Sequence, residues 1–156
     1  MNKVNHPKFI VVAHNIRSMH NVGAIFRTSE GAGVDMIYLT GYTAIPPRKE
    51  ISKVALGSED RVPWKFRKGV GELVKRLKKE GYQIVSLEQD DNSIPYKKFN
   101  PRFPLCLIVG NEVKGVSKAL LKKSDAIIEL PMKGTRKSLN VSVAFGIAVY
   151  EISSKI

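Results

Sequence analysis

Five short apolar runs constrain the fold of this chain more than any other feature. They are "KFIVVAHN", "DMIYLTG", "YQIVSLEQ", "PLCLIVGN" and "DAIIELP", each rich in β-branched residues and separated from the next by helical patterns. Strands alternating with helices define an α/β domain with a mostly parallel sheet and helices on both faces. A chain of 156 residues fits a single domain with one core, so residues 1–156 are expected to fold as one unit with no second domain.

Between the first two strands, "NVGAIFRTSEGAGV" reads as a helix that Asn21 caps and Gly31 and Gly33 end. Val70, Leu73, Val74 and Leu77 recur at helical spacing, while Lys68, Lys75, Lys78 and Lys79 take the wet side. That helix packs on the sheet, and its lysines read as a solvated face. The stretch from about residue 42 to 68 carries prolines and glycines among basic residues and reads as a long surface excursion. Its Trp64 and Phe66, beside Arg61, Lys65 and Arg67, suit base stacking; equally, Trp64 suits a pin that holds the loop to the core. The last segment, "KSLNVSVAFGIAVYEISSKI", is apolar around almost its whole circumference. Such a helix must be covered on all sides, and a second subunit is a natural cover, with Val143, Phe145 and Ile147 as candidate contacts.

Several classes fall away. No apolar run approaches the ~18 residues that span a bilayer, and "MNKVNHPKFIVVAHN" lacks a signal-peptide cleavage pattern, so a cytoplasmic protein without a membrane partner is expected. His6, His14 and His20 have no cysteine or carboxylate cluster at metal-ligand spacing, so no metal is expected. Cys106 sits inside an apolar run and reads as a structural thiol. "LIVGNEVKGVS" has the glycine frame of a phosphate loop, but Val116 stands where the lysine of a nucleotide triphosphatase belongs. "GVGELV" lacks the third glycine of a dinucleotide fingerprint, and no G-x-S-x-G is present. The charge points elsewhere: 26 Lys+Arg against 14 Asp+Glu give a net +12. An excess of that size favours a polyanionic partner, RNA or DNA.

Three polar clusters each follow an apolar strand: Asn21 and Arg27, then Glu112, then Ser138 with Asn140. In open parallel sheets ligands bind in the crevice at the carboxyl ends of the strands, so three clusters at such ends suggest one site. Singly, each has a structural explanation: a cap, a surface cation, a loop charge and helix-starting residues.

Together and in this order, "NVGAIFRTSEGAGV", "LIVGNEVKGVS" and "IELPMKGTRKSLNVSVAFGIAVYE" resemble the three motifs of the SpoU-type (TrmH-like) RNA ribose 2′-O-methyltransferases of the SPOUT superfamily. The resemblance runs from about Phe9 to Glu151. It implies a deep C-terminal trefoil knot around Leu87, Gly110 and Leu130, with the last helix passing through it. It also implies S-adenosylmethionine held by backbone at Leu87, Gly110, Leu130 and Leu139, with Ser138 nearby. The second-motif loop then surrounds that cofactor and needs no phosphate-binding lysine, and Gly110→Val is expected to block it by filling the space backbone must approach.

By the same resemblance, Arg27 is the residue that serves methyl transfer. A guanidinium stays protonated to about pH 12 and is a poor base. Arg27 is therefore expected to clamp a substrate phosphate and orient the 2′-hydroxyl, with Asn21, Glu112, Ser138 and Asn140 shaping the pocket around it. A homodimer that completes the site from two subunits is implied as well. Transfer RNA is the preferred substrate, with ribosomal RNA and a non-catalytic RNA-binding or assembly role as alternatives. Arg17, Lys114, Lys133, Arg136 and Lys137 flank the site and suit phosphate contacts.

Overall fold

A computed structural model describes residues 7–156 of the chain. Seven strands form one sheet in the order β3-β2-β1-β6-β4-β7-β5, and every strand pairing is parallel. The strands are β1 (Phe9–His14), β2 (Met36–Thr40), β3 (Trp64–Arg67), β4 (Gln83–Leu87), β5 (Ile94–Pro95), β6 (Leu105–Val109) and β7 (Ala126–Glu129). The helices are α1 (Met19–Ala32), α2 (Lys49–Ala55), α3 (Ser58–Arg61), α4 (Val70–Lys79), α5 (Lys118–Lys123) and α6 (Val141–Ser153).

Side chains alternate across a strand, and here the alternation divides the core in two. Phe9, Val11, Ala13, Ile37, Leu39, Leu105, Leu107 and Val109 face α1, α2 and α6. Ile10, Val12, Tyr38, Ile84, Cys106 and Ile108 face the other way, against Leu73, Val74 and Leu77 of α4 and Leu120 of α5. Each large side chain so buried contributes about 1.5–3 kcal/mol. The expected helices on both faces are present. Burial drives the Cys106 thiol well above its usual range, which suits an inert core residue.

Four expectations need correction. Ser18, not Asn21, caps α1, because its hydroxyl accepts from the Asn21 N–H (3.3 Å) and leaves Asn21 inside the first turn. Gly33 alone ends that helix, at φ 78°, with Gly31 still inside it. The stretch from 42 to 68 is not a structureless excursion but α2, α3 and β3. Gly23 is what lets α2 press onto α1, since a Cβ there would stand 2.6 Å from the Ile51 carbonyl oxygen. Trp64 pairs in register with Ile37 and packs on the core, so it pins the segment, while its neighbours Lys65, Phe66 and Arg67 stay exposed.

The fourth correction concerns α6. Phe145 is fully buried with Ala148, Val149 and Ile152, one stripe at helical spacing turned into the chain's own core, and it is not free for a partner. Val143 (51% exposed), Ile147 (37%) and Tyr150 (53%) form the opposite stripe, with Leu139 (40%) just before it.

Candidate functional site

Because all seven strands run the same way, their carboxyl ends share one edge. A cavity of about 500 Å³ opens there, beyond β4, β6 and β7. Its wall is made of Leu87 to Asp90 after β4, the loop from Gly110 to Ser117 after β6, Leu130 and Met132 after β7, and Lys137 to Leu139 before α6. Cavities of about 300–1,000 Å³ are the usual size for small-molecule sites.

The loop after β6 owes its shape to specific acceptors. Asn111 turns it by accepting from the Val113 and Lys114 N–H groups (2.9 Å each), and Glu88 accepts from the Val116 N–H (2.9 Å). Gly110 sits against the returning strand of this loop. A Cβ there would collide with the Gly115 carbonyl oxygen and lie 2.8 Å from the Val116 nitrogen. A side chain at Gly110 therefore breaks the loop itself and does not simply occupy ligand space, as Gly110→Val was expected to do.

Glu112 joins the first cluster to the cavity. Its carboxylate accepts from the Arg17 N–H (2.7 Å), the Ser18 N–H (2.8 Å) and the Asn21 amide (3.0 Å). Desolvation raises the pKa of this group, but the Arg17, Ser18 and Asn21 donors outweigh it and hold the carboxyl below its usual range. The dipole of α1 adds to this, since Glu112 lies at its N-terminus.

The structure thus gathers Leu87, Gly110, Glu112, Leu130, Ser138 and Leu139 in one wall, with Asn21 tied to it through Glu112. Asn140 stands just behind Ser138 and Leu139 as the cap of α6, accepting from the Ser142 N–H (2.9 Å). Lys114 and Lys137 line the same cavity. Arg27 does not. It lies on the exposed side of α1, about two turns past the helix start, beside a shallow depression with Glu30, Leu56, Ser58 and Arg61.

Three participants escaped sequence reasoning. Glu88 was a residue past a strand, Asn111 lay unremarked inside a motif, and Tyr42 sat in the supposed excursion. Asn111 donates its amide to the Tyr42 hydroxyl (2.7 Å) and the Asn15 carbonyl (3.0 Å), tying the loops after β1, β2 and β6 together. The signal available was a polar residue within two positions of the end of a strand, which Asn15, Glu88 and Asn111 all share. No group of three or more metal-ligating side chains occurs among the described residues, and His6 lies outside them. His14 bonds Thr40 through Nδ1 (2.9 Å), and burial lowers its pKa.

An open parallel sheet with a walled cavity at its carboxyl edge defines a ligand-binding α/β domain. The chain belongs to the SpoU rRNA Methylase family, which it matches over residues 8–150. It is 38% identical over 146 residues to a tRNA (guanosine(18)-2′-O)-methyltransferase of Aquifex aeolicus, covering 91% of this chain and 67% of that one. A putative TrmH family tRNA/rRNA methyltransferase of Staphylococcus saprophyticus is 30% identical, over 94% of this chain and 58% of that protein. This chain therefore spans little more than half the length of some relatives. Among solved structures, an AdoMet-bound rRNA methyltransferase from Sinorhizobium meliloti superposes with a TM-score of 0.89 at 27% identity, covering 96% of this chain and 58% of that one. The A. aeolicus TrmH/SpoU tRNA modifying enzyme gives 0.87 at 32%, covering 96% and 76%.

Proposed function

We propose that this chain transfers a methyl group from S-adenosylmethionine to a ribose 2′-hydroxyl of a structured RNA, with transfer RNA the preferred substrate. The observation that carries this reading is the cavity where the second and third motifs meet, with Glu112 locking the first motif onto it. One relative named above is a tRNA (guanosine(18)-2′-O)-methyltransferase, and one solved neighbour is an AdoMet-bound rRNA methyltransferase.

The cavity suits that cofactor. Leu87, Leu130, Met132 and Leu139 offer apolar surface to an adenine, and Glu88, Asp90 and Glu129 offer negative charge to a sulfonium and an ammonium. When bound, S-adenosylmethionine supplies an electrophilic methyl. The chain's own residues must align the acceptor and stabilise charge. Arg27 clamps a phosphate next to the target ribose and orients the hydroxyl, whose proton leaves to phosphate or water. Glu112 and Asn21 fix the start of the helix that carries Arg27, and Asn140 fixes the start of α6 beside Ser138.

Arg27 lies apart from the cavity of its own chain, and the exposed stripe of α6 begins at Leu139 in the cavity wall. A second copy covering that stripe would stand at the cavity mouth, and the site is read as a homodimer's, completed by Arg27 of the other copy. The C-terminal knot, the single-domain organisation of residues 1–156 and a cytoplasmic location belong to the same reading. The order β6-β4-β7, with α6 returning to pack on α1, supports the knot. No helix among the described residues is long and apolar enough to cross a membrane.

The test is labelled cofactor offered with unmodified transfer RNA and ribosomal RNA fragments, followed by nuclease digestion and mass spectrometry. Label on a 2′-oxygen of transfer RNA is expected. Label on a base refutes the chemistry, and label in ribosomal RNA alone refutes the substrate.

A further inference from the structure

We infer that the outer edge of the sheet, where β3 meets α4, is a second RNA-contacting surface that grips the phosphate backbone at a distance from the cavity. The inference rests on the RNA reading above and adds to it where the substrate is held.

Residues 64 to 79, "WKFRKGVGELVKRLKK", contain seven Lys+Arg and one acid, Glu72, a net +6 within a chain whose total is +12. All seven cations are exposed. The fold concentrates them further. Lys65 and Arg67 pair in register with Tyr38 and Thr40, so both side chains leave the sheet on the face that α4 covers. Arg67 comes in from β3 to 6.0 Å from the centre of the Tyr38 ring, and Arg76 from α4 to 5.8 Å. Arg76 also donates to the Tyr38 hydroxyl (3.0 Å).

Two guanidiniums from separate elements are thus gathered on one phenol. Cation–π attraction holds them in place, and their planar forks suit phosphate oxygens. Their mutual repulsion has little local relief. Arg76 has one exposed partner, Glu80 at 3.6 Å, and Lys78 has Asp125 at 3.7 Å. Lys65, Arg67, Lys68, Lys75 and Lys79 form no ion pair among the described residues.

A merely solvated face would intersperse both signs. Lysine on an edge strand also discourages strand-to-strand aggregation, which accounts for Lys65. Neither explanation accounts for Arg67 and Arg76 converging on Tyr38. An RNA backbone fits better, because two planar guanidiniums held side by side among exposed lysines match its phosphate oxygens. The exposed Phe66 pairs with Leu39 and points to the opposite face, so the surface grips phosphates and does not stack bases. Position agrees as well: Arg67 aligns with Thr40, and Thr40 with His14, so it sits on the carboxyl edge that carries the cavity. Three strand spacings, about 14 Å, separate β3 from β6. A folded RNA easily bridges that distance.

The test compares Lys65→Gln/Arg67→Gln with a control of equal charge, Lys97→Gln/Lys98→Gln, which lies beside β5 at the far end of the sheet. Binding of fluorescent unmodified transfer RNA is titrated from about 50 to 200 mM salt, and S-adenosylmethionine affinity is measured calorimetrically as a check on folding. The edge variant is expected to bind RNA about tenfold more weakly, with a log–log salt slope shallower by about one to two units. The control should change less than about twofold. Equal weakening of both, or no weakening of the edge variant, overturns the proposal. Because the readout is binding, a parent chain that binds RNA without methylating it refutes the proposed activity and leaves this surface to be judged by its own comparison.

Discussion

Replacing Glu112 by glutamine removes the charge that ties the cavity loop to the start of α1 while keeping the side chain's size. The carboxylate accepts three hydrogen bonds at 2.7, 2.8 and 3.0 Å. Bonds to a charged acceptor contribute about 1.5–3 kcal/mol and neutral ones about 0.5–1.5, so loss of charge costs about 1 kcal/mol per bond. The glutamine NH2 must also face one of three donors. Discounted for the group's partial exposure, the loss is about 2 kcal/mol. For a domain this long each kcal/mol moves Tm by about 3 °C, giving a fall of about 6 °C. The pH dependence carries a sign. The folded carboxyl titrates below its usual value of about 4.3, so its contribution is full above that value and disappears as pH falls through the folded pKa. Calorimetry of parent and variant should show the full gap at about pH 7 and a closing gap below about pH 4. A difference under about 2 °C at neutral pH, or one that persists undiminished in acid, would refute the account of Glu112 as an ionised clamp.

Arg27→Ala should keep fold and cofactor affinity while losing most methyl transfer, since an orienting charge acts mainly in the transition state; turnover within about threefold of the parent would make Arg27 a surface cation. Mixing Arg27→Ala with Leu130→Arg, which fills the cavity and leaves the loop after β6 untouched, each inactive alone, should restore up to about a quarter of parental activity if one chain's cavity uses the other's Arg27, because half the dimers are mixed and each holds one intact site. No recovery, with mixed dimers demonstrated, assigns Arg27 to its own chain's cavity. Val143→Asp with Ile147→Asp should yield a folded monomer by sedimentation, and a parent already monomeric at micromolar concentration removes the dimer altogether.

What was legible in the sequence was whatever depends on local pattern. The five apolar runs are five of the seven strands, and the i, i+3, i+4, i+7 spacing from Val70 to Leu77 is α4. The other two strands have too little pattern to read: β5 is two residues long, and β3 follows a proline and buries only Trp64 in part. Its strand character comes from pairing with β2. The α6 helix misled because apolar residues all round hide which stripe turns inward. Phe145, Ala148, Val149 and Ile152 do share one face, a spacing that was there to be read. Of the site, the three motifs were visible as residues, but the bond from Glu112 to Asn21 crosses 91 positions and has no local signature. That Arg27 lies outside the cavity wall depends on how α1 lies on the sheet, which spacing alone does not fix.

The central pairing of the sheet has a consequence for biosynthesis. β1 is flanked by β2 on one side and by β6 on the other, and Phe9 aligns with Leu105. A ribosome adding about 5–20 residues per second delivers that second neighbour roughly 5–20 s after β1 emerges. For that interval the fully apolar run Phe9 to Ala13 has one open backbone edge and only part of its final cover. Loop closure over about a hundred residues must then precede the reward of pairing, which places this topology among slow folders. The nascent chain is most exposed to misassociation in that window, so a holding chaperone or slow elongation past β6 is expected to raise the soluble yield.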